Sequence, residues 1–131
     1  MAYTITIRER FFNPRYVGAL DSPQGVGVVG TPGEGNFVQM FIAVAGGRIT
    51  AARFRCFSCP LAVAASDVTA EMARGMSMEQ ARQLSPQAIA DALGGMPEEK
   101  MNRCEWAASA LQSAVENFVA QTKSPASSRG A

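Results

Sequence analysis

The spacing of apolar residues changes within residues 37–75, and this change most restricts what the chain can fold into. Residues 37–44, FVQMFIAV, are apolar with one polar break, which is typical of a mostly buried strand. The Gly-Gly pair in AGGR (45–48) is a hairpin signal, and residues 49–56, ITAARFRC, make the second strand. We expect an antiparallel hairpin. Alternation places four residues of the second strand on one face: Thr50, Ala52, Phe54 and Cys56.

After this hairpin the apolar spacing becomes helical. Ser58 or Cys59 can serve as the N-cap, and Pro60 suits the first helical position. The predicted helix carries one apolar stripe and ends at Gly75. The stripe consists of Leu61, Ala65, Val68 and Met72.

Three more helices are predicted towards the C-terminus. SMEQ (77–80) is a capping box, and SPQAIADALGG (85–95) has a serine cap, a proline at the first position and a glycine stop. The last helix runs from about Pro97 or Cys104 to about Gln121. It presents an apolar stripe formed by Ala107, Leu111, Ala114 or Val115, and Phe118.

The N-terminal part is less regular. Residues 3–17 fit either a strand at TITI or a short helix, and NPR ends either one. Residues 18–36 are rich in glycine and predict a loop that contains one short strand at Val26–Val29. Strands followed by helices indicate an α+β fold, in which a small antiparallel sheet of about three strands carries helices on one face.

A chain of 131 residues with 47% apolar residues suits one compact domain, which we place at residues 1–122, followed by a disordered tail at 123–131.

Composition excludes several classes of protein. The net charge of +1 predicts no affinity for nucleic acid or anionic membrane. No apolar run is long enough for a bilayer, and the N-terminus lacks signal-peptide features, so we expect a cytoplasmic protein. The absence of histidine excludes Ser-His-Asp and Cys-His catalysis and histidine-ligated metals.

The three cysteines are the candidate chemical groups. Cys59 begins a helix, where the helix dipole favours a thiolate, and Cys104 lies near the start of the last helix. Two such thiolates above one sheet edge would attract a soft metal, although small cysteines are also often simply buried. Cys56 is either a core residue or the first half of a Cys-x-x-Cys metal-binding pair. Glu34, at the tip of the glycine-rich loop 30–36, is either solvated or a carboxylate ligand.

Several segments together resemble one known family. They are NPRYVG (13–18), GVVGTPGEGN (27–36), ITAARFRCFSCPLAVAASDVTAEMARG (49–75) and KMNRCEWAASALQSAV (100–115). In order and spacing the chain resembles the iron–sulfur cluster assembly scaffolds of the IscU type, which also form the N-terminal domain of NifU. The resemblance implies that a two-iron, two-sulfur ([2Fe–2S]) cluster is assembled on three cysteines. It further implies sulfur supply by a cysteine desulfurase and transfer of the cluster to apo iron–sulfur recipient proteins; several members bind zinc at the same place.

The chain departs from this family at the site itself. Cys59 and Cys104 match the second and third cysteines of the family, but Glu34 stands in place of the first. Asn36 replaces an aspartate that helps to make the cluster labile, and Arg103 replaces a histidine that often precedes the third cysteine. Cys56, in contrast, is an additional cysteine.

Three functions follow from these residues. The first is a non-enzymatic scaffold or carrier that holds iron or zinc on Cys56, Cys59 and Cys104 with Glu34, with a homodimer as one way to complete the site. The second is a degenerate binding module that docks a desulfurase or another assembly partner without a cluster. The third is a thiol enzyme with CFSCP as its redox pair. In thioredoxin-like proteins, however, the first cysteine of the pair begins the helix, whereas in this chain the second one does. We expect the first of these functions.

Overall fold

The computed structural model describes residues 4–123, which contain a three-stranded antiparallel sheet with helices, as predicted. The strands follow one another across the sheet in the order β1, β2, β3. In chain order the elements are α1 (Ile5–Phe12), β1 (Gly25–Gly30), β2 (Phe37–Ala45), β3 (Arg48–Phe57), α2 (Pro60–Ala73), α3 (Met78–Arg82), α4 (Pro86–Ala92), a 3₁₀ turn (Glu98–Lys100) and α5 (Asn102–Lys123).

The predicted hairpin is present, but the prediction for Thr50 is wrong. Val44 pairs with Ile49 whereas Ala43 pairs with Ala51, so Thr50 is an extra residue on β3. This β-bulge interrupts the alternation, and Thr50 is exposed, where its hydroxyl donates to the Ala43 carbonyl at 3.3 Å. The other predicted members of that face do lie on the helix side of the sheet: Ala52, Phe54 and Cys56.

The core lies between the sheet and the helices α2 and α5. Because many of its residues are small, α2 packs closely against this core, and most of its positions from Leu61 to Ala73 are buried. Helix α5 packs across β1 and β2. It comes so close to β1 that a Cβ atom on Gly27 would collide with the α5 backbone at Ala110 and Ala114. The glycines of β1 therefore set the distance between this helix and the sheet.

The sequence left both a strand and a helix possible at the N-terminus, and the structure forms the helix α1 there. Thr4 is its N-cap, because the Thr4 hydroxyl accepts a hydrogen bond from the Ile7 amide at 3.0 Å. The same hydroxyl donates to the Leu93 carbonyl at 2.6 Å, and Ile7 is fully buried. The cap and this buried side chain together outweigh the strand propensity of TITI.

A buried carboxylate on α2 holds the segment that follows α1. The Asp67 side chain is fully buried, and its oxygens accept hydrogen bonds from the Arg10 guanidinium and from the amides of Arg15 and Tyr16, each at 2.8 Å. Residues 16–18 then run parallel to β3 and exchange two backbone hydrogen bonds with Phe54. Asp67 thus fixes the N-terminal segment against both α2 and the sheet.

The remaining helix predictions are confirmed. Ser77 and Gln80 form a reciprocal capping box, and Ser85 caps α4 through the Ala88 amide with Pro86 at its first position. Gly75 follows the end of α2 with a φ of +89°. The tail predicted at 123–131 lies, apart from Lys123, outside the described residues. Within residues 4–123 no helix combines the length and apolar character needed to span a bilayer.

Candidate functional site

The register of the sheet brings two candidate segments to the same end of the fold. Gly30, the last residue of β1, pairs with Phe37, which in turn pairs with Phe57 near the end of β3. The glycine-rich loop 31–36 and the turn that leads from β3 to Cys59 therefore leave the sheet at one end. This is the end at which the sequence predicts the site.

Cys59 is the N-cap residue of α2 and is half-buried. Its sulfur accepts a hydrogen bond from Nε of Arg103 at 3.3 Å. Burial by itself raises the pKa of Cys59, but the Arg103 guanidinium and the amides of Ala62 and Leu61 stabilise the thiolate, and the pKa is lowered overall. Cys59 is consequently the cysteine best prepared to act as an anionic ligand or nucleophile.

Cys104 occupies the first turn of α5, as predicted, but its side chain is fully buried. Burial raises the pKa of Cys104 to about 11, and the neighbouring Glu105 carboxylate adds to this rise. The thiol is therefore neutral at physiological pH. It can become a ligand only if a metal ion replaces its proton.

Cys56 is half-buried and remains inside the β3 ladder, opposite Val38. Burial raises the pKa of Cys56 to about 11, a hydrogen bond with Ser66 of α2 opposes the rise, and the nearby Cys59 adds to it. Its side chain packs against the core, which favours the interpretation of Cys56 as a core residue. Its role as half of a Cys-x-x-Cys pair stays a prediction.

Glu34 lies at the exposed tip of the loop, where its amide donates to the Thr31 carbonyl in a turn. Within the described part of the chain, no three cysteine and acidic side chains come together closely enough to hold a metal ion. The structure therefore places Cys56, Cys59, Cys104 and Glu34 around one end of the fold without joining all four. Their role as a ligand set stays a prediction.

Arg103 is the residue of this site to which sequence analysis assigned no role. Besides Cys59 it contacts Oδ1 of Asn102 through Nη1 at 2.6 Å, and its Cζ lies 5.0 Å from the ring centroid of Trp106. The sequence signal that could have identified Arg103 as a site residue was its position directly before Cys104, at the start of a predicted helix.

Trp106 also borders a small apolar cavity of about 190 Å³ at the base of the loop. The cavity opens between the first residues of β2 and α5, next to the contact of Arg103 with Trp106. Its walls are formed by Val29, Gly30, Asn36, Phe37, Val38 and Trp106. Residues at both ends of the glycine-rich loop thus line the same cavity as Trp106 of α5.

We predict that iodoacetamide modifies Cys59 before the other two cysteines at neutral pH. Because its pKa is lowered, Cys59 holds more thiolate there than Cys56 or Cys104, whose pKa values of about 11 keep them protonated. We expect a rate at least about tenfold higher, which falls as the pH drops through the pKa of Cys59. Peptide mass spectrometry over a pH series measures the three rates. Equal rates at Cys59 and Cys104 would contradict this assignment.

Comparison with known proteins identifies the family. Residues 2–125 match the family described as the NifU-like N terminal domain. The chain belongs to this family.

Individual relatives of the NifU-like N-terminal domain support the same assignment. The proteins named iron–sulfur cluster assembly scaffold protein IscU 1 and IscU 2 of Archaeoglobus fulgidus are each 38% identical over 116 residues, which is 88% of this chain and 76% of theirs. The IscU scaffold protein of Rickettsia prowazekii is 33% identical over 122 residues, which is 90% of this chain and 92% of its own. The resemblance found in the sequence is thereby confirmed.

Solved structures share the fold. A structure from Fervidobacterium islandicum, described as that of a scaffold protein for the SUF system, superposes with a TM-score of 0.64 at 14% identity, over 86% of this chain and 96% of its own. A NifU-like N-terminal protein from Brucella abortus gives a TM-score of 0.53 at 21% identity, over 94% and 83%. These likenesses support the α+β arrangement of the NifU-like N-terminal domain.

Proposed function

We propose that this chain is an iron–sulfur cluster assembly scaffold that carries a transient cluster, or an iron or zinc ion, as cargo on cysteine thiolates. One observation carries the proposal: the hydrogen bond from Arg103 to Cys59 joins the start of α2 to the start of α5 beside Cys104. The glycine-rich loop leaves the sheet at the same end. Relatives from Archaeoglobus fulgidus and Rickettsia prowazekii carry the name of this function.

The donor chemistry of the site fits this cargo. Thiolates are good ligands for zinc and for iron–sulfur clusters, and the carboxylate of Glu34 is a suitable additional oxygen ligand for either metal. Cys59 supplies the first donor because its thiolate is already stabilised. Cys104 and Cys56 release their protons only when metal binds, so binding should strengthen with rising pH.

The ligand set we propose consists of Cys59 and Cys104, completed by Cys56 and Glu34. A cluster of the [2Fe–2S] type and a zinc ion are both compatible with three thiolates and one carboxylate. A second copy of the chain could supply a missing ligand in a homodimer. We assign no catalytic residue, and we propose a cysteine desulfurase as the sulfur source and apo iron–sulfur proteins as recipients.

A second candidate is a partner-binding module that has kept the fold without the cargo. Two observations favour it: no three cysteine and acidic side chains meet among residues 4–123, and Cys104 is fully buried. Such a module would bind a desulfurase or another assembly partner just as well after all three cysteines are replaced.

Anaerobic reconstitution with iron and sulfide tests the proposal. We expect a visible cluster spectrum in the wild type, and bound iron and sulfide at background level in Cys59→Ala and Cys104→Ala. Loss of the spectrum in Cys56→Ala would make Cys56 a ligand, whereas its survival would make Cys56 a core residue. Parallel zinc binding, quantified by metal analysis, separates cluster from zinc cargo.

A matched pair of loop variants tests Glu34 in the same assay. Glu34→Cys should raise the bound iron, because a thiolate replaces a harder carboxylate donor. Glu98→Cys, on the exposed 3₁₀ turn, should not. If the wild type takes up neither cluster nor zinc, the scaffold function is wrong and the partner-binding module stands.

A further inference from the structure

Helix α1 carries a line of exposed apolar side chains on the face that points away from the core. Ile5 and Phe12 are two helical turns apart, so their side chains lie on the same side of the helix. Each is 72% exposed, which is more than any other large apolar side chain among residues 4–123. Ile7, on the opposite side of the helix, is fully buried. The outer face of α1 is therefore apolar along its length and has no partner within the described chain.

Two opposite charges flank this apolar line. Arg8 and Glu9 follow Ile5 by three and four positions, so they lie on either side of the line between Ile5 and Phe12. Both are exposed, and neither side chain takes part in a hydrogen bond or an ion pair within residues 4–123. Together with Asn13, these four residues line a surface groove of about 320 Å³. The face thus combines an apolar centre with one cation and one anion at its borders.

This arrangement is complementary to itself. If two α1 helices pack face to face and run in the same direction, Ile5 and Phe12 each meet their counterparts in the second copy. The side of Arg8 then faces the side of Glu9 on the other helix, and the two-fold axis repeats this pair, as in parallel coiled coils. In the opposite direction Arg8 would face Arg8, and Glu9 would face Glu9. The charges therefore favour the parallel arrangement.

We propose that α1 binds α1 of a second copy of this chain in a parallel, two-fold symmetric contact. The face has no net charge and no cluster of basic residues, so it does not fit an anionic membrane surface. A helix of eight residues offers only a small contact, so the dimer is weak and forms at high protein concentration. Because the two-fold axis closes the contact, the pairing stops at two chains, unlike the pairing of open strand edges.

The contact is independent of the cysteines. On its inner side α1 is held by Arg10, which is paired with Asp67 and Glu71 of α2, so the outer face is presented on a fixed helix. None of the candidate ligand residues belongs to this face. The proposed dimer consequently differs from one that would complete the ligand set, and it does not rest on the proposed scaffold function.

Sedimentation equilibrium of the full chain, from about 10 μM to about 1 mM, tests the contact over the range expected for a small interface. We expect the wild type to shift from monomer to dimer across this range. Phe12→Ser should lower the association constant at least about tenfold, because it removes an apolar side chain from the centre of the contact. Phe57→Ser removes a phenylalanine of β3 that is 64% exposed, and as a matched control it should change the constant less than about twofold.

Exchange of the two charges tests the parallel arrangement. Arg8→Glu and Glu9→Arg should each weaken association about fivefold, because each places like charges opposite one another, and the double variant should return to within about twofold of the wild type. Circular dichroism verifies that all variants are folded.

The inference is overturned if the wild type stays monomeric at the highest concentration, if Phe12→Ser and Phe57→Ser have equal effects, or if the double charge variant does not recover. Cluster reconstitution of Phe12→Ser, measured in parallel, should equal that of the wild type. A failure of the dimer and a failure of the scaffold function would therefore be seen in different experiments.

Discussion

Replacement of Asp67 by alanine is expected to lower the free energy of unfolding by about 3 to 5 kcal/mol. The Asp67 carboxylate is fully buried and accepts hydrogen bonds from Arg10 and from the amides of Arg15 and Tyr16. Alanine removes all three acceptor contacts at once and leaves the two amides without their partner. Urea unfolding followed by circular dichroism measures the difference.

Two further variants distinguish the parts of this interaction. Asp67→Asn retains a side-chain oxygen for the two amides but loses the charge opposite Arg10, which keeps its contact with Glu71. We expect it to lose about half as much stability. Asp91→Ala removes an exposed carboxylate bonded to Gln87 and should cost less than about 0.5 kcal/mol. Equal effects at positions 67 and 91 would show that the buried carboxylate does not anchor the segment.

The second large effect is expected at Gly27. A methyl group at this position of β1 would meet the α5 backbone at Ala110 and Ala114, and neither backbone group can rotate away. Helix and strand must therefore separate, which opens the core along their contact. We expect Gly27→Ala to lower the free energy of unfolding by about 3 kcal/mol or more, measured by the same urea titration.

A neighbouring residue of the same strand supplies the control. Val28 points away from α5 and is 41% exposed, so Val28→Ala should cost less than about 1 kcal/mol. A well-tolerated alanine at position 27 would mean that α5 can shift on the sheet without loss, and would remove the reason for glycine in β1. Val28→Ala lowers the strand propensity without a steric collision, whereas Gly27→Ala introduces the collision with α5. Comparing the two variants therefore separates the effect of strand propensity from the steric effect.

Much of this fold could be predicted because its signals are local. The capping residues Ser77 and Ser85 act on amides within their own first turn, and Gly46–Gly47 determines the hairpin by its own backbone conformation. For the same reason Cys59 and Cys104 were correctly placed at helix starts. Each of these features depends on a few neighbours in sequence.

Features that depend on distant residues could not be predicted in the same way. The bulge at Thr50 arises from pairing with β2, and the helix over TITI depends on contacts of Thr4 with Leu93, far along the chain. Asp67 was overlooked as an anchor, although one acidic residue in the apolar run LAVAASDVTA was an available signal. The contact of Arg103 with Cys59 likewise joins residues 44 positions apart.

The pairing of residues 16–18 with β3 also bears on how the protein behaves in concentrated solution. An unpaired strand edge offers its backbone groups to other chains and can start edge-to-edge aggregation. Here Tyr16 and Gly18 occupy the backbone groups of Phe54 in the middle of that edge. The short N-terminal segment therefore shields β3 from intermolecular pairing, and the carboxylate that holds the segment protects the chain from self-association as well as from unfolding.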